Sequence, residues 1–152
     1  MEDATETDEK ETDENEAENS FEQQEFYNWC DANDIDRAVE AMDEDDQKGF
    51  LKIQRHFVTA IKEERLVVDG NKFTYTVSDL SPNAKEKFIV RRPNGRAMLA
   101  MDGYKPNSQN QKLQAYIAAI CGVTKRDINK ISELDDKDYK ILQDVAILFL
   151  TG

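Results

Sequence analysis

The feature that most limits what this chain can fold into is a switch of hydrophobic period. Residues 65–77, RLVVDGNKFTYTV, alternate: Phe73, Tyr75 and Val77 stand between Lys and Thr residues, after Leu66, Val67 and Val68. An apolar residue at every second position lines one face of a strand, and Asp69, Gly70 and Asn71 supply turn chemistry between the two runs. The segment therefore predicts a β-hairpin. Residues 87–91, KFIVR, predict a third short strand, ended by Pro93. On either side the period is 3.6. Phe50, Ile53, Phe57, Ala60 and Ile61 share one face of a helix predicted over residues 48–64, and residues 94–101, NGRAMLAM, predict a short helix carrying Met98, Leu99 and Met101. A block of strands between blocks of helix predicts an α+β fold, with a small antiparallel sheet covered by helices on one face.

The densest apolar content lies in residues 111–151, so the core is expected there, as a C-terminal helical bundle. Leu113, Tyr116, Ile117, Ile120 and Cys121 follow helical spacing up to Gly122, which suits a helix stop. Thr124 and Asp127 have the spacing of a near capping box for a short helix with Ile128 and Ile131. A last helix is expected from Asp135, with Asp136 and Asp138 near its positive end. Tyr139, Leu142, Val145, Ala146 and Phe149 line one of its faces.

The start of the chain has a different composition. Residues 1–46 hold 20 acidic side chains against Lys10 and Arg37, a balance of −18, and the remainder carries +6, giving the net −12. Residues 1–20 contain no aromatic residue and no Val, Ile or Leu. They cannot bury enough surface to offset the entropy of ordering, and predict a disordered acidic tail. Residues 21–46 predict an acidic helical extension in which Phe21, Phe26, Tyr27 and Trp29 either bind a partner or pack on the domain. Within it, residues 34–42 predict a weak helix. The domain itself is expected over 47–152.

Few chemistries fit. The acidic run 43–46 fails as a calcium loop: started at Asp43, the sixth position is Lys48 and the twelfth Gln54. It reads instead as the solvated start of the following helix. His56 is the single histidine, so no zinc set is expected, and NGRAMLAM lacks the phosphate-loop pattern. No Ser-centred elbow or paired Cys is present, which argues against an enzyme and against a bound cofactor. Cys30 and Cys121 are far apart and suggest a reducing, cytoplasmic setting. No apolar run approaches the about 20 residues of a membrane span, and the acidic start is unlike a secretory signal. Lys85, Lys87, Arg91, Arg92 and Arg96 form a basic patch near Phe88. It reads as a solvated strand edge complementing the acidic N-terminus rather than a nucleic-acid site.

The order of these elements, with RRPNGRAMLAMDG after the third strand and AAICGVTKRDINKISELDDKDYKILQDVAILFL at the end, resembles the tail assembly chaperones of long-tailed bacteriophages and prophages. The matching residues are Arg91, Arg92, Pro93, Gly95, Met98, Leu99, Gly122, Asp127, Ile128, Leu134, Asp135, Asp138 and Tyr139, within residues 66–150. The resemblance implies a non-enzymatic role in virion assembly. Such a protein binds the tape-measure protein in the host cytoplasm and keeps it soluble until tail-tube subunits displace it. Partner contacts are then expected at Arg91, Arg92, Arg96, Met98, Leu99, Tyr116, Ile120, Tyr139 and Phe149, and self-association is left open. A small acidic protein–protein adaptor without a phage role is the alternative.

Overall fold

The computed structural model describes residues 20–105 and 107–151. The acidic tail expected over residues 1–20 falls, but for Ser20, outside the described residues. Among the described residues the order is α1 (Phe21–Ala32), a 3-10 turn (Val39–Ala41), α2 (Glu44–Lys62), β1 (Leu66–Asp69), β2 (Lys72–Thr76), β3 (Lys87–Val90), α3 (Gly95–Asp102), α4 (Gln109–Ile120), a second 3-10 turn (Lys125–Asp127), α5 (Asn129–Ser132) and α6 (Asp136–Thr151). This is the expected α+β arrangement, with a three-stranded antiparallel sheet in the order β1-β2-β3.

The period-2 pattern sets the sheet's faces. Leu66 pairs with Tyr75, which pairs with Phe88, and all three point into the core. Val67, Thr74 and Ile89 form the neighbouring row on the opposite face, where Val67 and Ile89 are exposed. Gly70, at φ +64, opens the two-residue turn between the hairpin strands, in a region that an L side chain enters at a cost. The sheet is joined to the helices at its far edge: Arg91 N–H donates to the carbonyl of Ile120 at the end of α4, at 2.9 Å.

The core is broader than the apolar density of residues 111–151 suggests. Its aromatic centre is Trp29, 5.0 Å from Phe57, 5.7 Å from Phe73 and 5.6 Å from Phe149 between ring centroids, with Phe26 at 4.9 Å from Phe57. Rings at these separations and tilted angles make favourable edge contacts as well as burying area. Of the two alternatives for α1, packing on the domain is the one observed: Phe26, Trp29 and Cys30 are fully buried, and among its aromatic residues only Phe21 is exposed.

Local polar groups account for the other departures. Residues 34–42 do not form the expected helix. Asp34 adopts φ +59, and the Asp36 carboxylate accepts from Ala38 N–H at 2.9 Å. Such side-chain turns compete with helix formation, leaving one short 3-10 turn. In contrast, α2 starts four residues before the expected position because Asp43 caps it, accepting from Asp46 N–H at 2.8 Å. Thr124 does not cap a helix; its hydroxyl lies 3.4 Å from the Asp127 carboxylate, and a 3-10 turn precedes the four-residue α5.

One buried carboxylate fastens α6 to the sheet. Asp138 is fully buried in the first turn of α6. It accepts from the hydroxyls of Tyr75 (2.6 Å), Ser78 (2.8 Å) and Ser81 (2.6 Å) and from Ser78 N–H (3.0 Å). Arg65 donates to the Tyr75 hydroxyl at 2.6 Å and lies 4.0 Å from the carboxylate. Burial pushes the Asp138 carboxyl up, but the hydrogen bonds from Ser81, Tyr75 and Ser78 outweigh it and hold the group below its ordinary range.

Candidate functional site

The packing of α2 against the end of α6 leaves an open apolar groove of about 380 Å³. Ile35, Phe50, Ile53 and Leu148 are buried along it, while Met42 is half-buried and Ile147 stays exposed. Three carboxylates, Asp36, Asp45 and Asp46, stand on its rim with Thr151, and no basic side chain lines it. Gly49 explains part of the opening. It lies inside α2, where glycine costs a helix up to about 1 kcal/mol relative to alanine. A Cβ placed there would meet nothing within 4 Å. The groove falls within the about 300–1,000 Å³ range of binding pockets. Its shape and lining suit the apolar side of a helix, with anchors at i, i+3, i+4 and i+7.

A second, more polar cleft of about 400 Å³ lies between the C-terminal half of α2 and the start of α6. His56, Glu63, Arg65, Lys137 and Lys140 line it, and its charges largely pair with one another: Lys137 with Glu63 at 3.1 Å, Arg65 with Glu63 at 3.3 Å, Lys140 with Asp136 at 3.2 Å. His56 Nδ1 lies 2.7 Å from the Asp144 carboxylate. That pairing resembles the base and orienting acid of a catalytic triad, but among the described residues no hydroxyl or thiol is hydrogen-bonded to His56. Nor do the described residues gather three or more His, Cys, Asp or Glu side chains able to hold a metal ion. No helix among them is long and apolar enough to cross a membrane.

The residues expected to meet a partner separate into two groups. Arg91, Arg92, Arg96, Met98 and Leu99 are exposed around the start of α3, Met98 by 52% and Leu99 by 66%. Arg92 there reaches back to Asp34 at 3.1 Å. Tyr116 and Ile120 instead face inward from α4, are almost fully buried in the core, and line neither cleft. Tyr139 is half-buried against the core, and Phe149 is half-buried with its ring edge on Trp29. An apolar helix face is as compatible with a core position as with a docking position, and here the core claims these four.

None of the groove residues was among those singled out for binding. Phe50 and Ile53 read as an ordinary helix face, and Ile147 and Leu148 belong to another helix almost a hundred positions later. The available signal was Gly49, an isolated glycine in a helical pattern next to an acidic run. Comparison with known proteins gives no match to a protein-family model, a curated protein or a solved structure.

Proposed function

We propose that the protein is a non-catalytic cytoplasmic binding module that holds an amphipathic helical segment of another protein in the groove between α2 and α6. The observation that carries this reading is the groove itself: an open cleft of about 380 Å³ between α2 and the end of α6, floored by Ile35, Phe50, Ile53 and Leu148 and edged by Met42 and the exposed Ile147. Burial of a partner's apolar face would contribute about 25 cal/mol per Å² before the costs of association. The resemblance of residues 66–150 to tail assembly chaperones supports naming the partner as a phage tape-measure protein, released when tail-tube subunits take its place. The basic, apolar start of α3 offers a second surface to the same assembly.

Co-expression with a tape-measure protein of a long-tailed phage tests this reading. The tape-measure protein should stay soluble and elute with this chain, and a bulky Gly49→Trp substitution should abolish both effects. A tape-measure protein equally soluble with and without this chain, with no joint elution, would remove the chaperone role. The adaptor reading would then stand, since the groove serves it as well.

A further inference from the structure

We infer that the groove selects for charge, taking amphipathic helices whose apolar face is flanked by Lys or Arg. This rests on the groove being a helix-binding site, and adds the class of partner it prefers. Asp45 and Asp46 stand on one bank, in the first turn of α2, and Asp36 enters from the segment after α1. None of the three forms an ion pair among the described residues, although ten ion pairs occur there. First-turn placement accounts for Asp45 and Asp46 at α2, and Asp36 accepts from Ala38 N–H at 2.9 Å, yet its carboxylate also lines the groove and has no cationic partner among the described residues. Carboxylates from two separate elements therefore converge on one apolar floor. A helix seated there would bring its flanking side chains beside them. Cations would gain screened attraction, and carboxylates would meet like charge at close range.

Charge also argues against the chain's own N-terminal segment as occupant. Residues 1–19 hold ten acidic side chains and one lysine, with Met1, Ala4 and Ala17 as their hydrophobic residues. Such a segment offers little to an apolar floor and is repelled by its rim.

The test uses the full chain and three fluorescent amphipathic peptides of about five helical turns. They share one Leu face and carry Lys, Gln or Glu at the flanking positions. The Lys peptide should bind about tenfold more tightly than the Glu peptide, as expected for three screened pairs. Raising salt to about 0.5 M should narrow the gap. The triple variant Asp36→Asn, Asp45→Asn, Asp46→Asn should bring the peptides within about twofold of each other. Gly49→Trp should abolish binding of all three while the far-UV circular dichroism stays unchanged. Equal affinity for the Lys and Glu peptides would overturn the charge selection and leave the groove reading intact. Binding by none of the peptides would remove both. A Lys preference that survives the triple variant or Gly49→Trp would place the attraction elsewhere, on the acidic residues 1–19 for example, and would also overturn the proposal. So would self-association of the chain that the triple variant abolishes, because the occupant would then be a second copy.

Discussion

The Tyr75 hydroxyl donates a 2.6 Å hydrogen bond to the Asp138 carboxylate across 63 positions of sequence, joining the middle strand to the first turn of the last helix. Both groups are buried, and each serves more than one partner: Arg65 donates to the same hydroxyl, and two serines complete the carboxylate's shell. A charge in such a place persists only because donors replace the water it lost.

Asp138→Asn should therefore be severely destabilising despite its small change in volume. The amide offers one acceptor oxygen in place of two and turns an N–H₂ toward groups that are themselves donors. Unsatisfied donors and the lost charge together should cost roughly 3–5 kcal/mol, read as a drop in the urea midpoint at constant slope. A stability within about 1 kcal/mol of wild type would show that the shell adapts freely.

The same carboxylate predicts an acid dependence. Its folded-state pKa lies below the unfolded value of about 3.9, so its stabilisation is present above that value and is lost as pH falls through the folded pKa. The stability gap between wild type and Asp138→Asn should stay constant from about pH 7 to 5 and shrink below about pH 4. Asp31 and Glu63 are also lowered, chiefly by hydrogen bonds from Arg37 and from Lys137. They are exposed and common to both proteins, so the gap isolates Asp138. A gap unchanged between about pH 6 and 3 would contradict the assignment.

Gly49→Ala should stabilise the protein by about 0.5–1 kcal/mol, because the added Cβ enters open space in a helix and restricts the unfolded chain. Thermal melts should show a higher midpoint. A lower one would mean that α2 needs the glycine for a reason other than the groove.

The thiols should be inert while the chain is folded. Burial, and then the charge of Asp31, pushes Cys30 up to about 12 against the pull of Arg37, and burial alone raises Cys121. A thiol reagent at about pH 8 should label neither cysteine in the native protein and both in denaturant. Rapid native labelling would show that one of these core regions opens readily.

The strands and most helices were legible in the sequence because each has a local cause. Alternation at 73–77, helical spacing at 50–61 and a stop at Gly122 are set by neighbours in the chain. The site was not legible, for the opposite reason. Asp138 reads as one more carboxylate at a helix start, and only folding brings Tyr75, Ser78 and Ser81 around it. Trp29 reads equally as a docking residue or a core residue until Phe57, Phe73 and Phe149 enclose it. Tyr116 and Ile120 carried the same ambiguity on α4, whereas Phe50 and Ile53 read only as an ordinary helix face. Residues 34–42 were misread because Asp34 turns left-handed just after α1 and Asp36 bonds Ala38 N–H, and neither event alters the apolar spacing.

The contact between Trp29 and Phe149 bears on how the molecule is made. Its two rings lie at opposite ends of the described chain, so the first helix must wait with its largest side chain unsealed while about 120 further residues are synthesised. Ribosomal synthesis runs from the N-terminus, and helices α1 and α2 can pair early, but the aromatic centre closes only when α6 arrives. During that interval Trp29 lacks the Phe149 side of its enclosure, and it lies about ten positions after the acidic residues 2–18. The charge upstream thus lies where it discourages nascent chains from clustering before the last helix shuts the core.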